Sequence, residues 1–82
     1  MEILGKLLKF YCNQHFEDFT AKYLSEILVE ISTIVRRLSD SEALIQQISK
    51  FEIPQVLGNM LGSSHAIVTR ASLEALICIV KE

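Results

Sequence analysis

The stretch His65–Lys81, HAIVTRASLEALICIVK, constrains the chain more than any other. Drawn as a helix, it carries apolar side chains on nearly every side: Ile67, Val68, Ala71, Leu73, Ala75, Leu76, Ile77, Cys78, Ile79 and Val80. Arg70, Glu74 and Lys81 form a narrow polar stripe. A helix that is hydrophobic almost all round has to be covered over most of its surface. The other segments are therefore expected to be helices laid against it.

Their patterns agree. Ile3, Leu4, Leu7, Leu8 and Tyr11 recur at amphipathic spacing, with Lys6 and Lys9 opposite, and Asn13-Gln14-His15 reads as the turn that follows. A long second helix is expected from Glu17 to Leu38. Glu17 and Asp18 suit its positive end, and Arg36 and Arg37 its negative end. Phe19, Tyr23, Leu24, Ile27, Leu28, Ile31, Ile34, Val35 and Leu38 make its apolar set, and Lys22, Glu26, Glu30, Thr33 and Arg37 its polar stripe. Ser39 and Glu42 fit a capping box at the head of a third helix, Asp40–Lys50. Proline at a first helical position costs no hydrogen bond, so Ile53-Pro54 opens a fourth helix, Ile53–Leu61. Gly62-Ser63-Ser64 ends that helix and supplies a serine for the start of the last. Five helices and no strand signal make the chain all-α.

With 82 residues, the chain holds one small domain, and half its residues are hydrophobic. A domain of this size buries a modest share of its surface. The apolar surplus therefore points to cover from another chain or from further sequence. A formal net charge of −2, with scattered Lys and Arg, argues against a nucleic-acid surface, which works by neutralising phosphates. No run approaches the roughly 18–20 apolar residues of a membrane span. Cys12 and Cys78, with no CxxC spacing, read as free thiols of a reducing compartment, hence cytoplasm or nucleus.

Chemistry finds little foothold. His15 and His65 are the only histidines, and no HExxH or Cys/His cluster builds a metal site. No P-loop, GxGxxG or nucleophile elbow is present. The expectation is a non-enzyme without cofactor or metal.

An internal repeat emerges when the first helix is laid over the fourth. Ile3 falls on Ile53, Leu7 on Leu57, Phe10 on Met60, Tyr11 on Leu61 and His15 on His65. The offset of about 50 residues is near the upper edge of helical-repeat periods. Ser41–Lys81 resembles one armadillo repeat: SEALIQQISKF its first helix, IPQVLGNML its second, HAIVTRASLEALICIVK its third. The Ile-Pro pair and the ASLEAL stretch carry most of the likeness. Met1–Leu38 resembles the last two helices of a preceding repeat. HEAT-type repeats are similar too.

The resemblance implies a right-handed α-solenoid fragment of about two repeats, with residues 1–38 a partial and 39–82 a full one. It implies a non-catalytic module for a protein or peptide partner, in which third helices line a concave groove. Lys22, Glu26, Glu30, Arg37, Arg70 and Glu74 would line it here. Two departures stand out. Phe51 occupies a position where the family often has glycine. Glu74 and Cys78 stand where importin-alpha-like members carry tryptophan and asparagine, so nuclear-signal binding is not implied. Apolar end faces would favour self-association or a larger solenoid. The competing expectations are a free-standing helical-bundle adaptor and a carrier of an apolar ligand.

Overall fold

Gly5, Leu8, Cys12 and His15 recur at helical spacing, and all four are buried on one face of the first helix, α1 (Glu2–Glu17). That stripe carries α1 through the expected turn at Asn13-Gln14-His15 to Glu17. The computed structural model describes residues 2–18 and 20–80, so Phe19 and Lys81, placed in helices by their pattern, lie outside the described residues. The chain turns at Asp18, Thr20 and Ala21 instead. The Asp18 amide closes α1 on the Gln14 carbonyl. The Asp18 carboxylate accepts from the Thr20 amide at 3.1 Å and from the Thr20 hydroxyl at 2.6 Å. An Asx turn of this kind offers the chain an alternative to continuing as helix. Asp18 is thus a turn residue, not the acidic start of a second helix.

Helix α2 runs Lys22–Leu38 and buries Leu24, Ser25, Leu28, Ile31, Ser32 and Val35. The expected capping box does not form. Ser39 is buried at the end of α2, where its hydroxyl donates to the Arg36 carbonyl at 2.6 Å. Helix α3 (Glu42–Lys50) starts after Ser41, which makes no side-chain cap bond. Helix α4 (Ile53–Met60) opens with Pro54 as anticipated. Just before it, Glu52 takes a left-handed φ of 63°, a conformation that costs an L-residue roughly 1–2 kcal/mol. Helix α5 (Ala66–Val80) completes the all-α fold, with no strand among the described residues.

The helices meet in two kinds of contact. α1 packs on α2 and α4 on α5, each pair joined by a short turn; across these pairs, α1 lies on α4 and α2 on α5. α3 leans on α4 and on α2. The directions follow from the ends. Gly5 lies against Phe51 and Ile53 at one end of α1, and His15 meets Ser63 at the other. α1 and α4 therefore run parallel. α2 and α5 each fold back on their partner through a short turn, so these run parallel too, and Arg36 near the end of α2 meets Glu74 in the middle of α5. Between the pairs lies the core, centred on Leu8, Leu28, Val35, Ile48, Ile53, Leu57, Met60 and Val68.

The all-round cover expected for the last helix is not supplied within this chain. α5 buries Val68, Ser72, Ala75 and Ile79, while Ile67, Leu73, Ile77 and Val80 stay exposed. α1 divides its apolar residues likewise. Leu8 is sealed, Leu4 and Tyr11 are half-buried, and Ile3, Leu7 and Phe10 face outward at 73%, 43% and 54% exposure. The physical reason is Gly5. Its bare backbone lets α1 settle on that side, and the opposite side is left over.

Truncating a buried side chain removes transfer energy and leaves a cavity. Leu57→Ala is expected to lower unfolding free energy in urea by about 2–5 kcal/mol. Ile3→Ala, equally apolar in sequence, is expected to change it by no more than about 0.5 kcal/mol.

Candidate functional site

Val29, Ser32, Thr33 and Arg36 recur at i, i+3, i+4 and i+7 on α2. Ile67, Arg70, Ala71 and Glu74 recur at the same spacing on α5. Because the helices run parallel, the two stripes face one another and line a cleft of about 390 Å³. Thr33 spends its hydroxyl on the Val29 carbonyl at 2.9 Å, a local bond back along its own helix. Ser32 is buried, and its hydroxyl oxygen makes no hydrogen bond among the described residues.

Charge is concentrated on the rim. Arg36 Nη1 donates to Glu74 Oε2 at 3.2 Å, and Arg70 Nε lies 3.9 Å from Glu74 Oε1. One carboxylate thus bridges two guanidinium groups across the two long helices. All three side chains are substantially exposed. Such ion pairs contribute about 0–1 kcal/mol each in water, so they can be exchanged for a ligand's charges at little cost. The cleft offers planar forks and a carboxylate above a floor of small and aliphatic groups.

Of the six residues expected to line a groove, the cleft gathers Arg70 and Glu74. Lys22, Glu26, Glu30 and Arg37 are exposed on α2 but turn away from the cleft. Arg36, expected only to complement the helix dipole, takes the place assigned to Arg37. Its position seven residues after Val29 and three after Thr33 was the available signal.

A second cleft, of about 360 Å³, lies where α1 meets the α3–α4 junction and is lined by Lys6, Lys9 and Lys50 with Glu2 and Glu52. Lys6 pairs with Glu2 at 3.8 Å, and Lys50 sits 5.8 Å above the Phe51 ring centre. Lys6 and Lys50 are thus engaged by their own neighbours.

The two histidines, which the repeat expectation lays one over the other, meet in space. The His15 ring is buried and its centre lies 5.1 Å from that of His65. His15 Nε2 shares a 2.8 Å hydrogen bond with Ser63 Oγ, which also accepts from the His65 amide at 3.0 Å. Hydroxyl and imidazole are at nucleophile–base distance, but the imidazole is sealed from solvent. What the contact does is tie α1 to the α4–α5 turn. Cys12, one turn earlier on the same face, is buried and its thiol is pushed up by burial. Both cysteines are free. Among the described residues no group of three or more His, Cys, Asp or Glu is placed to hold a metal ion. No described helix is long and apolar enough to cross a membrane.

No family model matches the chain, and neither a curated protein nor a solved structure matches it.

Burial, and next to it the charge of His65, hold the His15 imidazole below its usual 6.5. The unfolded chain therefore takes up a proton that the folded chain refuses, and stability falls as pH drops below about 6.5. The urea midpoint is expected to decline between about pH 7 and pH 5, above the carboxylate range. His15→Gln should flatten that decline; an unchanged slope would place its origin elsewhere.

Proposed function

We infer that the chain is a non-catalytic protein-interaction module of armadillo-like type, which presents the α2–α5 cleft to an extended peptide or a partner segment. The observation that carries this reading is the parallel stacking of like helices, α1 on α4 and α2 on α5. Layered repeats stack in that way. An adaptor bundle would place antiparallel neighbours throughout. α3, which leans on α4 and α2, stands as the first helix of the second layer. The third helices of the two layers are then α2 and α5, and the cleft between them is the start of the groove.

The chemistry of the cleft fits the role. Extended peptides are held through their backbone by side chains in fixed rows, and their charged groups are read by complementary ones. Arg36, Arg70 and Glu74 supply both signs in one row. A partner carrying acidic and basic side chains in alternation satisfies them; a uniformly charged polymer does not. Nucleic acid suits the cleft poorly for that reason.

The exposed apolar residues on α1 and α5 support the same reading. A solenoid segment leaves apolar faces at its ends where further layers belong. Ile3, Leu7 and Phe10 lie on one such face, and Leu73, Ile77 and Val80 on the other.

A fluorescence-anisotropy screen of extended peptides with alternating acidic and basic side chains tests the cleft. Glu74→Arg is expected to weaken a binder about tenfold, the cost of one charged contact of roughly 1.4 kcal/mol. Glu30→Arg, an equal charge change outside the cleft, is expected to leave affinity within about twofold. Equal effects at both positions, or no binder in the screen, would remove the groove.

A further inference from the structure

The residues left exposed at one end of the molecule are the repeat equivalents of those buried in its middle. Ile53, Leu57 and Met60 of α4 are fully buried under the first helix pair. Their counterparts Ile3, Leu7 and Phe10 on α1 face solvent. The other end shows the converse. Gly5, Leu8 and Cys12 are the buried face of α1, and their counterparts on the second pair, Gln55, Gly58 and Gly62, are exposed. A Cβ added at Gly58 would meet nothing within 4 Å, whereas one at Gly5 would lie 3.2 Å from the Phe51 carbonyl oxygen.

The long helices follow the same rule. With Lys22 placed on Ala66, the buried residues Leu24, Leu28, Ile31 and Val35 fall on the buried Val68, Ser72, Ala75 and Ile79. In that register the α2 stripe that faces α5 falls on Leu73, Leu76, Ile77 and Val80. Of these, Leu73, Ile77 and Val80 are exposed and Leu76 is half-buried.

We propose that the chain binds a second copy of itself head to tail, the outer face of α4–α5 of one copy receiving the outer face of α1–α2 of the next. The occupant is a second copy because Ile3, Leu7 and Phe10, the free apolar row of α1, are the repeat equivalents of Ile53, Leu57 and Met60, which the first helix pair already covers inside the chain. The new contact follows the inner one with changed residues: Gln55 and Gly58 take the places of Gly5 and Leu8, so the pairs stand farther apart than inside, while Leu7 enters as Leu57 does. Leu73, Ile77 and Val80 replace the Val29–Arg36 row, and in the same register they face Tyr23, Glu26, Ile27 and Glu30 on α2 of the next copy. An interface built from two different faces leaves one of each free after every addition, so it propagates into a row of copies or a ring. This inference rests on the layered reading above, and it leaves the α2–α5 cleft open in every copy.

Two variants separate the possibilities. Leu7→Glu charges the first face and Ile77→Glu the second; both side chains are about half exposed, so each fold should survive, as circular dichroism checks. Should either variant fail to fold, Ile3→Glu and Val80→Glu replace them. By analytical ultracentrifugation the unaltered chain is expected to grow in mass with concentration beyond a dimer. Each variant alone is expected to remain a single chain. Mixed, they are expected to form a 1:1 pair, because only one free face remains on each. A single-chain mass for the unaltered protein at every concentration overturns the proposal. So does a dimer that survives in one variant alone, since that contact pairs a face with itself. Neither result touches the cleft, whose peptide titration is read on the monomeric variants.

Discussion

Gly5 brings α1 within a side chain's width of the α3–α4 junction, and the close approach between the two helix pairs depends on it. With the backbone that near, Leu8 and Cys12 reach the core, and Ile53, Leu57 and Met60 are sealed beneath. At the far end of the same contact, His15 reaches Ser63. A parallel pair of helices pinned at both ends has no freedom to rotate or slide. α2 and α5 are therefore brought side by side as a consequence, and the cleft between them appears without any residue having to be spent on shaping it.

The same constraint explains the distribution of apolar surface. An amphipathic helix covers one face, yet α1 and α5 each carry apolar residues on two. Packing one face inward at Gly5 turns Ile3, Leu7 and Phe10 outward, and packing α5 through Val68, Ser72, Ala75 and Ile79 turns Leu73, Ile77 and Val80 outward. Isolated apolar residues on a surface need no explanation, but rows at helical spacing on opposite ends of one small domain do. The charged contact between the two long helices lies on the flank, where Arg36, Arg70 and Glu74 meet.

Much of this could be read from residues in order, and the misses have physical causes. Pro54 and the Gly62-Ser63-Ser64 turn punctuate the chain as their backbone preferences dictate. His15 misled because polarity stands in for exposure in a pattern, and a buried, hydrogen-bonded histidine reverses that link. Ser39 misled because two helices compete for one hydroxyl, and the end of α2 wins it. At the cleft, Arg70 and Glu74 were legible because α5 has few polar residues to choose among. The polar face of α2 is broad, and nothing local says which of its edges α5 will take. The pattern alone therefore sends Lys22, Glu26, Glu30 and Arg37 to the groove and leaves Arg36 out.

The central claim is that two helix pairs stack like on like, in parallel, with Gly5 against the head of α4. A nuclear Overhauser spectrum of the labelled chain tests it most directly. The account predicts cross-peaks from the Gly5 α-protons to the Phe51 β-protons and the Ile53 side chain, together with cross-peaks from the His15 ring to Ser63. Cross-peaks from Gly5 to Met60 and Leu61 instead would mean that α1 and α4 run in opposite directions, and would contradict it.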